Sequence, residues 1–194
     1  MWLEIFGAAS SLLYIFLEIK QRSSLWTVGF ISSAVYAVVF YQNGLYAFSV
    51  LYVYYVAASA YGLYCWRFAQ KKKDAATTER PVIRLNLQLG IVLTFISIAL
   101  YAGTGYVLDR FTDSPIVPPC CEALATSLSI VATWMLAQKI LEQWLLWIFV
   151  NFFSSALYFW CGLYPTGVLF LVYGVLSVTG WMKWKQSLLN IDDR

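Results

Sequence analysis

The stretch Trp144-Leu-Leu-Trp147-Ile-Phe-Val-Asn151 opens an apolar segment with no charged residue between Glu142 and Lys183. Together with Tyr158, its two tryptophans and its asparagine recur at helical spacing and share one face. An unpaired amide in hydrocarbon costs several kcal/mol, so this face is predicted to turn toward other helices or a cavity. An amide among aromatic rings suits a flat organic ligand. Because Trp144 begins the helix, an interfacial anchor and a ligand contact both stay open for it.

Composition places the chain in a membrane. Of its 194 residues, 61% are hydrophobic and 12% are charged, whereas a soluble domain is nearer half apolar and a quarter charged. One span needs about 20 apolar residues, which leaves room for seven. We predict an all-α membrane protein with seven transmembrane helices, at Leu3–Ile19, Leu25–Tyr41, Leu45–Trp66, Leu85–Leu108, Cys120–Gln138, Trp144–Cys161 and Leu163–Trp184.

The basic residues predict the orientation of these helices. When the loops are assigned alternately to the two sides, twelve of the thirteen Lys and Arg residues fall on one side and only Arg110 on the other. Basic loops face the cytoplasm. We therefore expect the N-terminus outside and the C-terminus in the cytoplasm, a sorting that needs seven spans.

The chain also repeats itself without a gap at a shift of 118 residues. The shift pairs Trp26 with Trp144 and the turn Gly44-Leu45-Tyr46 with Gly162-Leu163-Tyr164; it also pairs Tyr55, Ser59, Gly62 and Trp66 with Tyr173, Ser177, Gly180 and Trp184. Helices 1–3 and 5–7 are thus predicted to be parallel copies joined by helix 4. SWEET carriers have this 3+1+3 arrangement, with the substrate between the repeats. The predicted parts are a first repeat (1–66), a cytoplasmic loop (67–84), helix 4 with an outer loop (85–119), a second repeat (120–184) and a cytoplasmic tail (185–194).

Aromatic and hydroxyl side chains line the corresponding faces of both copies. As a set, the rings form a cage whose negative faces favour a delocalised cation. Glu122, in the first turn of helix 5, either compensates the helix dipole or attracts a cationic solute at the outer mouth. The predicted substrate-binding residues are Trp144, Trp147, Asn151, Tyr158, Tyr52, Tyr55, Ser59, Ser33, Tyr36 and Glu122.

Several classes of chemistry are excluded or disfavoured. The chain has no histidine and no Cys-x-x-Cys pair, so we expect no metal site and no cofactor. Without histidine no nucleophile–base pair is visible, and we predict that the protein is not an enzyme. No ionisable residue falls in the middle of a predicted span, which predicts uncoupled, downhill transport. Unpaired thiols are expected at Cys120, Cys121 and Cys161, rather than a bridge.

The patterns Trp144-x-x-Trp147-x-x-x-Asn151, Glu142-Gln143-Trp144 and Tyr61-Gly62-x-Tyr64-x-Trp66 resemble the PnuC family of vitamin transporters, over nearly the whole chain. The resemblance implies a 3+1+3 fold in the bacterial cytoplasmic (inner) membrane, facilitated diffusion, and trapping of the solute by a cytosolic kinase. It carries substrate contacts over to Trp144, Trp147 and Asn151, and Glu122 stands where the family often has Asp.

Two substrates of this family are nearly even. Nicotinamide riboside members tend to have Gln at the position of Tyr52 and Asn at that of Ser59, whereas Tyr54-Tyr55 and the run Phe30-Ile31-Ser32-x-Ala34-x-Tyr36 look more like the thiamine branch, PnuT. Asn151 favours nicotinamide riboside, which stays first as the family default. A SWEET-type sugar uniporter is a more distant alternative, and a membrane scaffold or enzyme subunit is a third class. A homo-oligomer stays open.

Overall fold

A computed structural model describes residues 2–42, 46–67, 81–111 and 117–192. These residues form seven α-helices: α1 (Trp2–Ile19), α2 (Ser24–Gln42), α3 (Tyr46–Arg67), α4 (Leu87–Phe111), α5 (Pro119–Ala137), α6 (Gln143–Trp160) and α7 (Tyr164–Asp192). The predicted all-α, seven-helix class is confirmed. Outside the described residues lie the predicted Gly44-Leu45 turn, the basic stretch Lys71-Lys72-Lys73 of the predicted cytoplasmic loop, and residues 112–116 of the outer loop.

The end of α7 is where the structure departs from the predicted bounds. The predicted helix ends at Trp184 and is followed by a polar tail, but α7 continues to Asp192. The segment after Trp184 contains no proline or glycine, and its Lys, Gln and Leu residues are good helix formers. A run of polar residues ends the apolar part of a helix without ending the helix itself.

The helices have the composition and the surface of a membrane protein. Four of them contain stretches long and apolar enough to cross a bilayer: Ser24–Gln42, Leu87–Arg110, Pro119–Ala137 and Tyr164–Leu189. In α3 and α6, tyrosine, tryptophan and serine dilute the aliphatic content without introducing an internal charge. Large apolar side chains also point outward, as Phe95 on α4 does with 69% of its surface exposed. Such a surface is suited to lipid.

The residues divide into two compact units. The first comprises Met1–Pro81 with Ala137–Lys139, and the second comprises Val82–Leu136 with Ile140–Arg194. In the first unit α1 packs on α2 and α2 on α3, and in the second α6 packs on α7. The parallel relation between the two predicted repeats, like their domain boundaries, stays a prediction.

The short turn between α5 and α6 belongs to the first unit. In this turn Lys139 adopts a φ of 55°, the same value as its repeat counterpart Gln21 between α1 and α2. The buried Lys139 ammonium lies 4.4 Å from the centroid of the Trp66 ring, a cation–π contact. The neighbouring Gln138 donates a hydrogen bond from Nε2 to Tyr61 Oη at 2.7 Å. These contacts hold the turn on the C-terminal end of α3.

The second unit is organised around a core between α4 and α5. Leu93, Val131, Met135 and Ile140 form its buried centre. The segment that leads into α4 is fastened close by, because Leu85 N donates to the Glu142 carboxylate at 2.7 Å. This arrangement keeps the start of α4 beside the start of α6.

Candidate substrate site

The α6–α7 contact begins at Trp144, whose side chain is completely buried. Its indole lies edge-on to Trp184 with the ring centroids 5.7 Å apart, and a Cβ atom on Gly180 would overlap it. In the first unit, Trp26 lies edge-on to Trp66 at the same 5.7 Å, and a Cβ atom on Gly62 would overlap its indole. This edge-on arrangement, which we call the tryptophan pair, joins two helices of each unit: α2 with α3, and α6 with α7.

The presence of the same tryptophan pair in both units indicates a packing role for Trp144. Its Nε1 is buried without a hydrogen-bond partner in the described parts of the chain, and so is Nε1 of Trp26. Because the two units share this feature, helix packing accounts for it without a ligand. Trp144 is enclosed in this conformation, so neither a membrane interface nor a solute contacts its ring.

Trp147, one turn further along α6, is different. Its ring is partly exposed, and its Nε1 is buried with no partner among the described residues. The 118-residue shift pairs it with Gly29, so α2 offers no equivalent indole. Packing common to both units therefore does not explain Trp147. Of the two tryptophans in the motif, it is the one whose ring is partly exposed.

Asn151 is buried between α6 and α7 and has a defined orientation. Its Nδ2 donates to Ser177 Oγ at 3.1 Å, and Ser177 Oγ donates to the carbonyl oxygen of Tyr173 at 2.8 Å. Since the serine proton is already committed, Ser177 can only accept from Asn151, which determines which way the amide faces. The amide oxygen has no partner in the described chain. It is left as a fixed hydrogen-bond acceptor.

Rings follow Asn151 toward the end of α6. Tyr158 lies 5.1 Å from Phe170, and Phe170 lies 5.8 Å from Tyr173. Glu122, half-buried in the first turn of α5, is within electrostatic range of the Tyr158 hydroxyl. The carboxylate has no ion-pair partner among the described residues. Its predicted roles in compensating the dipole and attracting a solute both fit this position.

The first unit places its five predicted residues on α2 and α3. The hydroxyls of Ser33 and Ser59 are buried in the span. Tyr36 and Tyr52 are 5.3 Å apart, and Phe40 is 5.3 Å from Tyr52, so three rings form a triangle. Tyr55 lies edge-on to Tyr52 at 5.8 Å. These residues form one continuous aromatic group with the two hydroxyls further along the helices.

The predicted residues thus form two groups, one in each unit. Trp147, Asn151, Tyr158 and Glu122 lie in the second unit, where Trp144 is set apart by its enclosure. The predicted set omitted Phe40, Phe170 and Ser177, which contact its members directly. The repeat carried a signal for them, because Phe40 corresponds to Tyr158, Phe170 to Tyr52 and Ser177 to Ser59.

No group of His, Cys, Asp and Glu side chains in the described parts is arranged to hold a metal ion. The four cysteines are free thiols, with Cys65 buried and Cys120 exposed. The chemistry of the two groups is therefore that of rings, hydroxyls, one amide and the Glu122 carboxylate.

An all-helical chain with several apolar spans is a multi-pass membrane protein. Comparison with known proteins identifies its class further. The family model described as "Nicotinamide mononucleotide transporter" matches residues 1–186. The chain belongs to this family and is a membrane transporter, which confirms the predicted resemblance to PnuC proteins.

Individual relatives agree with this assignment. The chain is 24% identical to a protein named "Nicotinamide riboside transporter PnuC" from Escherichia coli strain K12, covering 96% of this chain and 86% of the relative. It is 25% identical to a protein of the same name from Neisseria mucosa, covering 94% and 72%. The solved structure titled "Crystal structure of the Vitamin B3 transporter PnuC" superimposes with a TM-score of 0.75 at 24% identity, over 97% of this chain and 83% of that one. The fold is therefore shared.

Proposed function

We propose that the protein carries a flat, cationic vitamin precursor across the membrane by facilitated diffusion, with nicotinamide riboside as the first candidate. The single observation that supports this most is the fixed acceptor oxygen of Asn151, beside the partly exposed ring of Trp147. A carboxamide on an aromatic ring presents an N–H donor in the plane of that ring. The indole supplies the face on which the ring can stack. The names of the relatives from E. coli and N. mucosa support the same substrate.

The aromatic group of the first unit supports a positively charged solute. The triangle of Tyr36, Phe40 and Tyr52 presents π-faces, and stacking over several such rings favours a delocalised cation. A sugar carries no positive charge and gains no cation–π attraction from these faces. This is the reason for ranking the vitamin carrier above a SWEET-type sugar uniporter.

Thiamine is the second candidate, and a specific observation favours it. The first unit carries a phenol at Tyr52 and a hydroxyl at Ser59, where nicotinamide riboside carriers of the resembled family tend to have amides. The first unit therefore carries a phenol and a hydroxyl in place of those two amides. Thiamine is also a cationic aromatic molecule, and its aminopyrimidine can donate to the Asn151 oxygen.

Transport is proposed to need no coupled ion. In the described chain, charged residues on the helices lie in their terminal turns, as Glu18, Arg67, Arg110 and Glu122 do, or in the polar end of α7. Proton- and sodium-coupled carriers usually need an ionisable side chain in the middle of a transmembrane helix. The membrane potential alone draws a cation inward by about 2.3 kcal/mol per charge per 100 mV.

The cellular setting follows from the charges and the family resemblance. We place the protein in a bacterial cytoplasmic membrane with its N-terminus outside and its C-terminus in the cytoplasm. A cytosolic kinase that phosphorylates the solute would prevent its return, since a phosphorylated product no longer fits an uncharged path.

Titration of the purified protein tests the proposed substrate class. Nicotinamide riboside, thiamine and glucose are added separately, and quenching of intrinsic tryptophan fluorescence is recorded. We expect saturable quenching by at least one of the two vitamins and none by glucose. Saturable quenching by glucose with no response to either vitamin would overturn the proposal. In liposomes without a membrane potential, uptake should continue when the proton and sodium gradients are collapsed.

A further inference from the structure

The two units differ at one level of the repeat. Gly29 on α2 corresponds to Trp147 on α6, and Tyr14 on α1 corresponds to Ala132 on α5. Each unit therefore has one large ring and one small residue at this level. In the second unit the large ring is on α6, the middle helix of the predicted repeat. In the first unit it is on α1, the first helix of the predicted repeat.

In the first unit, Tyr14 occupies the space that the missing side chain of Gly29 leaves open. A Cβ atom on Gly29 would lie 2.9 Å from Cε2 of Tyr14 and 3.0 Å from Oγ of Ser59. The phenol ring and the serine hydroxyl therefore both lie against the backbone of α2 at this glycine. Tyr14 is also within electrostatic range of Tyr55. Its ring is placed beside two residues of the predicted substrate site.

The second unit has the opposite arrangement. Ala132 is completely buried and carries only a methyl group, whereas the ring of Trp147 is partly exposed. The backbones of α1 and α2 approach closely. The small residue on α2 thus accompanies a tight contact between these two helices.

We propose that Tyr14 is a positioning residue that sets substrate preference, because its ring lies against Gly29 beside the Ser59 hydroxyl and limits the size of the ring that can enter the space next to this hydroxyl. This inference rests on the proposed vitamin carrier. Nicotinamide riboside has one aromatic ring, the pyridinium, whereas thiamine has two linked aromatic rings. The smaller aromatic system of nicotinamide riboside suits such a space better. Removal of the phenol ring enlarges the space, and a change of even one methylene group in an apolar pocket alters discrimination by about tenfold.

The experiment compares the wild-type protein with Tyr14→Ala, using the dissociation constants of both vitamins from tryptophan quenching. We expect the preference for nicotinamide riboside over thiamine to fall by about three- to tenfold, the range of one lost aromatic contact. If the wild type binds only thiamine, its Kd should decrease in Tyr14→Ala. Tyr101→Ala, which removes an exposed ring from α4, is the matched control and should change neither constant.

The outcomes separate this inference from the proposed function. A wild-type protein that binds neither vitamin overturns the proposed function itself. If the wild type binds and Tyr14→Ala loses affinity for both vitamins by the same factor, or for neither, Tyr14 has a structural role only and the inference is wrong. The same conclusion follows if thiamine is the sole ligand and its Kd does not decrease.

Two further variants guard against misfolding and test the ring itself. Tyr14→Phe keeps the ring and should retain the wild-type preference; loss of that preference overturns the inference. Tyr14→Leu removes the flat ring but keeps an apolar side chain in the contact with Gly29. Should Tyr14→Ala fail to purify as a folded protein, Tyr14→Leu is judged by the same shift in preference.

Discussion

Asn151 on α6 donates its side-chain amide to the Ser177 hydroxyl on α7 across 3.1 Å, and this hydrogen bond sets the polar chemistry of the second unit. The corresponding residues in the first unit, Ser33 and Ser59, are both hydroxyls. Of these corresponding positions, only the one in the second unit carries an amide. The two units therefore differ in hydrogen-bonding chemistry at this pair of corresponding positions.

Asn151→Ala should weaken vitamin binding by about tenfold or more while the protein stays folded. The variant loses the acceptor oxygen, whereas its cost to folding is that of one neutral hydrogen bond, about 0.5–1.5 kcal/mol. Fluorescence titration and thermal unfolding in detergent measure the two effects. Ser177→Ala is the matched control, because it keeps the amide but frees its orientation, and should weaken binding less. Wild-type affinity in Asn151→Ala would show that the amide does not contact the solute.

The two tryptophans of the motif should separate in their effects. Trp144→Ala empties a fully buried site in the α6–α7 contact and should cost about 3–5 kcal/mol of stability, as Trp26→Ala should in the first unit. Trp147→Ala should instead abolish or strongly reduce binding with a smaller loss of stability, because its ring is partly exposed. Thermal unfolding and titration distinguish the two. The assignment fails if both variants unfold at the same temperature and bind alike.

Gly62→Ala and Gly180→Ala should each destabilise the protein. Within a helix, this substitution ordinarily adds about 1 kcal/mol of stability. Here the new Cβ atom would overlap the indole of Trp26 or Trp144, so the sign should reverse. Gly103→Ala is the matched control, since a Cβ atom there meets no described neighbour within 4 Å and should raise the melting temperature. Equal gains in melting temperature in all three variants would contradict the packing described for the tryptophan pair.

Glu122→Gln should slow the initial uptake of a cationic vitamin by about two- to fivefold at low salt, and much less near 1 M salt, where the Debye length is about 3 Å. The variant keeps the shape of the side chain and removes its attraction. Asp109→Asn, which neutralises an exposed carboxylate at the end of α4, is the control. Uptake in liposomes is measured at both salt concentrations. A loss that salt does not alter would leave Glu122 with dipole compensation alone.

The proposed orientation predicts which thiol reacts from outside. Cys120 is exposed at the start of α5, whereas Cys65 is buried near the end of α3. On intact spheroplasts, a membrane-impermeant maleimide should label the wild type and fail to label Cys120→Ser/Cys121→Ser/Cys161→Ser. Labelling of that triple variant before lysis, or of the wild type only after lysis, would reverse the orientation.

Much of the candidate site could be read from the spacing of residues. The interval from Trp147 to Asn151 placed both on one helical face, and the repeat linked Ser177 to Ser59. The spacing could not separate Trp144 from Trp147, because both lie on that same face. Their difference comes from α7, where Gly180 and Trp184 enclose Trp144. Tyr14 carried no signal at all, since its repeat counterpart is an alanine.

The sequence by itself determined the membrane class, the seven helices and the internal repeat, because these depend on composition, period and length. It did not determine the end of α7, where polar residues were mistaken for the end of the helix. Only the tertiary structure decided which ring is enclosed, which amide oxygen is left to accept and which glycine admits a phenol from another helix. These are properties of pairs of helices, and a helical period records the face of a residue without recording what packs against it.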